Sequence, residues 1–206
     1  MNPSNSELNL PSPPAWADYV LRLLLGRDHG EAVSGDLLEE YRDNVYPSRG
    51  ARRADVWFVR QVAEFASRAT GLWAIAVAVV QLGRDMLDWY LPPLDYTMRS
   101  LVTTYVVAGI FIALGCWHAW KTRSLRSTVC AAGLTGVTAA ALKLIGIVLV
   151  ITIWPDTRTE LSGGTPEALE LPWLIILPAT VLAIAGGLIG KAAAGIFRPK
   201  SFRPSR

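Results

Sequence analysis

Apolar residues run almost unbroken through Ser100–Trp120, Thr128–Trp154 and Leu171–Phe197, and a shorter apolar stretch, Ala69–Gly83, precedes them. About 20 apolar residues in a helix cross the hydrocarbon of a bilayer, so each long stretch predicts a crossing. At 1.5 Å per residue, Ala69–Gly83 reaches only about 22 Å against about 30 Å of hydrocarbon. On length alone it could lie in the interface. Upstream the period changes. Trp16, Val20, Leu23 and Leu24 recur at helical spacing, which predicts a short amphipathic helix over Ala15–Leu25 with Gly26 as its stop. Val33, Leu37, Tyr41 and Val45, widened by Leu38, predict a second helix from about His29 to Asn44, opened by an Asp28/Glu31 capping box. Tyr46-Pro47-Ser48 and Gly50 interrupt it. A third helix from near Ala51 presents Val56, Trp57, Val59, Val62, Ala63 and Phe65 among Arg52, Arg53, Arg60 and Arg68. Residues 1–14 are polar and proline-rich, read as a disordered leader, and carry no signal-peptide pattern.

The predicted fold is all-α. An integral membrane protein is expected, with a small cytoplasmic three-helix domain (15–68) followed by a four-helix transmembrane bundle (69–197, crossing at about 69–83, 100–120, 128–154 and 171–197). A basic tail, 198–206, closes the chain.

Charge sets the expected orientation. Lys121, Arg123 and Arg126 crowd the connection after Ser100–Trp120 without an acid, and residues 191–206 hold five bases and no acid. The connection 155–170 holds four acids and only Arg158. Because basic loops stay cytoplasmic, the first two regions are expected inside and the third outside. Arg84–Arg99 then falls outside, and the Arg-rich third helix is inside only if Ala69–Gly83 also crosses. Snorkelling by Arg68 and Arg84 would lengthen that short span. The expectation is four crossings of the inner membrane of a bacterial cell with both termini in the cytoplasm. Tryptophans near segment ends (Trp73, Trp89, Trp117, Trp120, Trp154 and Trp173) suit the interfacial belt.

Composition adds exclusions. The chain has 206 residues, 51% hydrophobic and 18% charged, against about 25% charged in soluble domains. The basic tail suits anionic lipid headgroups, and no basic stripe interleaved with aromatics points to nucleic acid. Cys116 and Cys130 are the two cysteines and His29 and His118 the two histidines. Neither a zinc pattern nor a Ser–His–Asp or Cys–His arrangement can be built from them. Gly186-Gly187-Leu188-Ile189-Gly190-Lys191-Ala192 resembles a phosphate loop only superficially, because Ala185 and Ala192 replace the Gly and Ser/Thr it requires. No cofactor or metal is expected, and a non-enzymatic role follows.

Lys143, 11 residues before Trp154, is the charge expected to be costly inside a span. No acid is expected in another span to pair with it. It is either a coupling or substrate-binding ammonium in a transporter or channel, or a lysine that snorkels, is deprotonated or meets a neighbouring polar group. Thr128, Ala132, Gly136 and Ala140, then Gly186, Gly190 and Ala194, repeat small residues at four-residue spacing. They predict close packing of the third and fourth crossings, with a homo-oligomer or partner seam as the alternative. Asp36, Glu39 and Glu40 form an acidic helix surface expected to be answered by Arg52, Arg53 and Arg60 on the next helix.

Pro13-Pro14-Ala15-Trp16, Leu21-Arg22-Leu23-Leu24, the run from Glu31 to Tyr41 containing Gly35-Asp36-Leu37-Leu38-Glu39-Glu40-Tyr41, and Ala54, Trp57-Phe58 and Arg60-Gln61 occur in that order. Together they resemble permease prefix domain 2, the N-terminal module of bacterial FtsX-like, MacB-type ABC permeases, over residues 13–68. The rest departs from that family, since the large extracytoplasmic domain after the first crossing is absent from this sequence. The resemblance implies a docking or regulatory module, with Asp36, Glu39, Glu40, Tyr41, Trp57, Arg60 and Gln61 as its interaction surface or supporting core. The expected function is an accessory or regulatory partner of a membrane complex such as an ABC exporter. A small transporter or channel using Lys143, and a membrane-tethered regulator of anti-sigma type, are the alternatives.

Overall fold

The computed structural model describes residues 11–90, 96–153 and 176–196, and among them every regular element is helical. Expectations for 1–10, the acidic connection 155–170, Trp154, Trp173 and the tail 198–206 lie outside the described residues, as do the side chains of the Asp28/His29 region. The chain divides into two compact units, Met1–Ala69 and Thr70–Arg206.

In the first unit, α1 (Ala15–Glu40) is broken at Gly26, whose φ of 76° and ψ of 173° are non-helical. A left-handed φ costs a residue with a side chain, and glycine escapes that cost. A wide π turn, Tyr41–Val45, leads into the four-residue α2 (Tyr46–Arg49). Pro47 lacks an N–H and its ring crowds the carbonyl four residues back, so the widened turn keeps the chain helical past a residue expected to interrupt it. The Ser48 hydroxyl donates to the carbonyl oxygens of Asn44 and Val45. Gly50, at φ 74°, ends α2, and α3 (Ala51–Tyr90) follows. Within the expected leader, Pro13 is buried, and Arg42 Nε donates to the Pro11 carbonyl at 3.2 Å.

Ala17, Leu21, Tyr41, Val45, Ala54, Phe58 and Val62 form this unit's buried cluster, with Leu37, Trp57 and Phe65 packed on it. Of the expected face of α3, Val62 is in this cluster and Trp57, Val59 and Phe65 pack on it, while Val56 and Ala63 are exposed. Ala54, Phe58 and Val62, spaced by four, point inward, while Val56 is 64% exposed. Across the Gly26 break the two arms of α1 are tied together. Arg22 pairs with Asp18 at 2.9 Å and donates to Ser34 Oγ at 3.1 Å, and the Ser34 hydroxyl donates to Asp18. A Cβ at Gly30 would lie 2.9 Å from the Arg22 carbonyl oxygen, so the arms approach backbone to backbone.

The second unit contains the later part of α3, then α4 (Tyr96–Thr122), α5 (Leu125–Ile153) and α6 (Ile176–Ile196). Four helices, Ala51–Asp88, Thr97–Thr122, Leu125–Val150 and Pro178–Gly195, are long and apolar enough to cross a membrane. The helix that holds the expected first span does not stop at Gly83: α3 continues to Tyr90 and carries Arg84, Asp85 and Asp88 with it. Ala74, Val77, Phe111, Leu114, Ala132, Ala139, Ala179 and Ala183 make the core. Bulky apolar side chains such as Leu72, Val79, Tyr105, Val148 and Ile153 are exposed, the arrangement that suits a lipid surround.

The tightest contact joins α4 and α6. A Cβ on Gly115 would land on the Ala183 carbonyl, one on Gly186 on the Ile112 carbonyl, and one on Gly190 on the Cys116 carbonyl. Gly186 meets Ile112 and Gly190 meets Cys116, so four residues along α6 match four along α4 and the two helices run parallel, as alternate helices of an up-down-up-down bundle must. This corrects the assignment of Gly186 and Gly190 to a seam with α5. Their backbone partner is α4, and α5 meets α6 through side chains, with Gly187 facing Leu125 and Thr128. Gly136, also buried, instead lines a small space with Val77, Ala78 and Gln81 of α3.

Candidate functional site

Lys143 is 5% exposed on α5. Its Nζ lies 3.1 Å from Asp85 Oδ2 on α3, overturning the expectation that no spanning acid faces it. Residues 96–153 and 176–196 contain no aspartate or glutamate, so α3 is the source of carboxylates for this bundle among the described residues. Lys143 is also nearer one end than its place in the sequence implied. Asp85 stands five residues before Tyr90, about 7.5 Å from the end of its helix, and Lys143 ten residues before Ile153, about 15 Å from its own. Both therefore belong to the half of the bundle remote from the α4–α5 turn.

A second charged group lies one turn further along α3. Arg84 Nε contacts Asp88 Oδ2 at 3.2 Å and Arg99 Nε contacts Asp88 Oδ1 at 2.7 Å, so one carboxylate clips α3 to the start of α4. These side chains are all less than one-fifth exposed. Where charges are cut off from water, pairing is what makes them tolerable. This explains how α3 continues through three charged residues.

The Lys143–Asp85 contact is within ion-pair distance, and Asp85 Oδ2 is sealed from solvent. Beside the pair is a cavity of about 330 Å³ lined by Gln81, Arg84, Asp85, Thr103, Lys143 and Pro178, among others. That volume lies within the range of small-molecule sites. On the inner side of Lys143 and Gln81 is a further space of about 10 Å³, the size of one water. Cations, a carboxylate, an amide and hydroxyls thus converge on one mostly apolar chamber walled by Val107, Phe111 and Leu182. Such a chamber can bind and orient a small polar solute. Among the described residues no His/Cys/Asp/Glu group could hold a metal ion.

The candidates in the first unit do not form a comparable site. Asp36, Glu39, Glu40 and Arg60 are exposed, Trp57 and Gln61 are half-buried, and Tyr41 is buried. The expected answer from Arg52, Arg53 and Arg60 is not there: these arginines are exposed, and no ion pair joins them to the acidic surface among the described residues. Glu40 instead accepts a 2.9 Å hydrogen bond from Asn44 of the next turn. Tyr41 is core: it stacks edge-on against Phe58 with centroids 6.0 Å apart and donates to Asp55 Oδ1 at 2.7 Å. Burial, with the Asp55 hydrogen bond second, pushes its phenol up to about 12.

Asp85, Asp88, Arg99 and Gln81 were missed as site residues. A signal for them existed, since a lone lysine in a span demands a counter-ion and Asp85 and Asp88 border the first span.

Compared with known proteins, the chain matches no family model. No curated protein matches it. No solved structure does so either.

Proposed function

We propose that this chain is a small multi-pass membrane protein that binds and passes a small polar or charged solute through the chamber at Lys143 and Asp85, without covalent chemistry. One observation carries the reading: a buried ammonium and carboxylate from two different helices, paired at 3.1 Å and facing a cavity of solute size. A pair that only fastened α3 to α5 would need no chamber. Charges inside spans characteristically mark solute and ion pathways.

The test separates fastening from function. Asp85→Leu and Lys143→Leu each strand a buried charge and are expected to cost about 3–5 kcal/mol, whereas the double variant restores much of that stability. In proteoliposomes, proton flux and uptake of labelled amino acids and small carboxylates are measured for the wild type and the folded double variant. The wild type is expected to show flux for at least one probe, and the double variant to fall to the empty-liposome background. Equal flux in both proteins would eliminate the chamber as the pathway.

A second reading rests on the exposed carboxylates Asp36, Glu39 and Glu40, which have no ion-pair partner among the described residues, within the segment that resembles a permease prefix domain. In this reading the N-terminal unit lies in the cytoplasm and docks on a membrane complex such as an ABC exporter. Glu39→Lys with Glu40→Lys is then expected to remove partners recovered in mild detergent. Unchanged recovery would count against it.

A further inference from the structure

The turn between α4 and α5 has features that the solute chamber does not use. It lies about 27 Å along α5 from Lys143, 18 residues at 1.5 Å each. Lys121, Arg123 and Arg126 are all exposed there, and neither helix contains a single carboxylate. Trp117 and Trp120, 61% and 55% exposed, precede them. Trp117, Trp120 and Lys121 are spaced by three and four, so they share one face of α4 at its end.

The backbone of this turn is fixed. Arg123 adopts φ 55°, the one non-glycine residue in the left-handed region among the described residues. Its N–H closes the helix on the Ala119 carbonyl at 2.8 Å. Glycine is the usual occupant of such a C-terminal cap, so keeping a guanidinium here carries conformational strain. The neutral polar side chains are committed inward. Thr122 Oγ1 donates to the His118 carbonyl at 2.8 Å, and Ser124 Oγ caps α5 by accepting from the Ser127 N–H at 3.3 Å. Thr128 Oγ1 donates to the Ser124 carbonyl at 3.0 Å. Beneath them His118 Nε2 and Ser127 Oγ lie 2.9 Å apart, both buried. Hydroxyls and imidazole hold the turn, and the three cations are left on its outer surface.

We infer that the α4–α5 turn is a binding site for the phosphate of an anionic phospholipid. Charge complementarity selects the ligand: three cations and no carboxylate face a membrane surface whose anions are phosphodiesters. The tryptophans select lipid over a free anion, because amphipathic rings at a helix end settle at the level between headgroup and acyl chain. α4 is long enough to carry the cations to that level: its 27 residues extend about 40 Å, beyond about 30 Å of hydrocarbon. A rigid turn loses little freedom on binding, which favours a defined lipid contact over diffuse attraction.

The experiment uses the full chain in nanodiscs of phosphatidylcholine alone or mixed with phosphatidylglycerol. Thermal unfolding and the phosphatidylglycerol retained in native mass spectra are both read. Wild type is expected to retain phosphatidylglycerol and to melt higher in the mixture. Lys121→Gln with Arg126→Gln is expected to weaken retention about thirtyfold, from the attraction that each basic residue provides near an anionic surface, and to leave melting in phosphatidylcholine unchanged. Arg123→Gly separates the ligand role from the structural one. It relieves the backbone, so it melts higher in phosphatidylcholine, yet gains less from phosphatidylglycerol than wild type does. Retention and melting gain unchanged in the double variant would overturn the site. So would an equal gain from soluble glycerol phosphate, which would make it a site for free anions. Loss of flux through the Lys143 chamber leaves this inference untouched, because the readouts are lipid retention and melting.

Discussion

In the N-terminal unit the largest buried side chains are Tyr41 and Phe58, and the charged groups Asp36, Glu39, Arg52 and Arg53 stand at the surface. In the bundle the order inverts. Leu72, Ile75, Val79 and Tyr105 are exposed, while Ser127, Thr128, Thr135 and Lys143 are buried. The first arrangement draws its stability from removing apolar area from water. The second gains little that way, because lipid is as apolar as leucine, and depends on close backbone packing and on polar groups satisfied inside. The two regions should therefore fail by different routes. Cavities should damage the first most, and added bulk the second.

The sharpest way to break this comparison is to enlarge a glycine of the α4–α6 seam. In Gly186→Leu the new Cβ falls on the Ile112 carbonyl, a backbone atom that no rotamer change can move. Overpacking usually costs about 1–3 kcal/mol, and a backbone clash belongs above that range. The expected result is loss of monodisperse protein in size-exclusion chromatography of detergent extracts. Gly133→Ala is the control, since nothing lies within 4 Å of its added Cβ, and it should elute as wild type. A Gly186→Leu protein with wild-type yield and melting would show that the seam does not hold the bundle.

The converse prediction concerns the aromatic core. Phe58 has no exposed surface and underlies Tyr41. Phe58→Ala should cost about 3–5 kcal/mol through lost burial and the cavity left behind. Val56, 64% exposed two residues earlier, should cost under about 0.5 kcal/mol when changed to alanine. Hydrogen exchange over residues 15–65 of the full chain measures both. Equal protection in the two variants would mean that this unit has no fixed core.

This pair of residues also marks how far the sequence could be read. Periodicity located the helices and the Gly26 and Gly50 breaks, because those signals are local and repeat every turn. On α3 it found Trp57, Val59, Val62 and Phe65 but took exposed Val56 for buried Phe58, since all are apolar and only tertiary packing chooses among them. For a related reason it gave no sign that the helix runs beyond Gly83 to Tyr90. Arg84, Asp85 and Asp88 each look prohibitive when counted singly, but their partners, Arg99 and Lys143, come from later helices. Hydropathy along one segment cannot register cancellation across 58 residues of chain. The same blindness left Lys143 without its counter-ion, so the candidate site was half visible: the ammonium could be named, but the carboxylate and the chamber could not. The glycines were flagged by spacing, yet spacing does not say which neighbouring helix they meet.

The smallest effect expected is at Gly35, and it tests the acidic surface directly. Gly35 lies inside α1, is exposed, and would have nothing within 4 Å of a Cβ added to it. Its backbone is helical, so neither a turn nor a close approach requires glycine there. Replacing glycine by alanine inside a helix stabilises by roughly 0.5–1 kcal/mol, because glycine loses more freedom on folding. Gly35→Ala should therefore strengthen hydrogen-exchange protection across α1. It also places a methyl beside Asp36, on the surface that the docking reading assigns to a partner. If a partner seats there, recovery in mild detergent falls even though the unit is more stable. Stability and binding then move in opposite directions, a pattern that general damage to the fold cannot produce. If protection rises and recovery is unchanged, Gly35 lies off the docking surface, and the acidic residues must be tested by charge reversal. If protection falls, the space beside Gly35 is occupied in the folded chain, and α1 does not present that face to solvent.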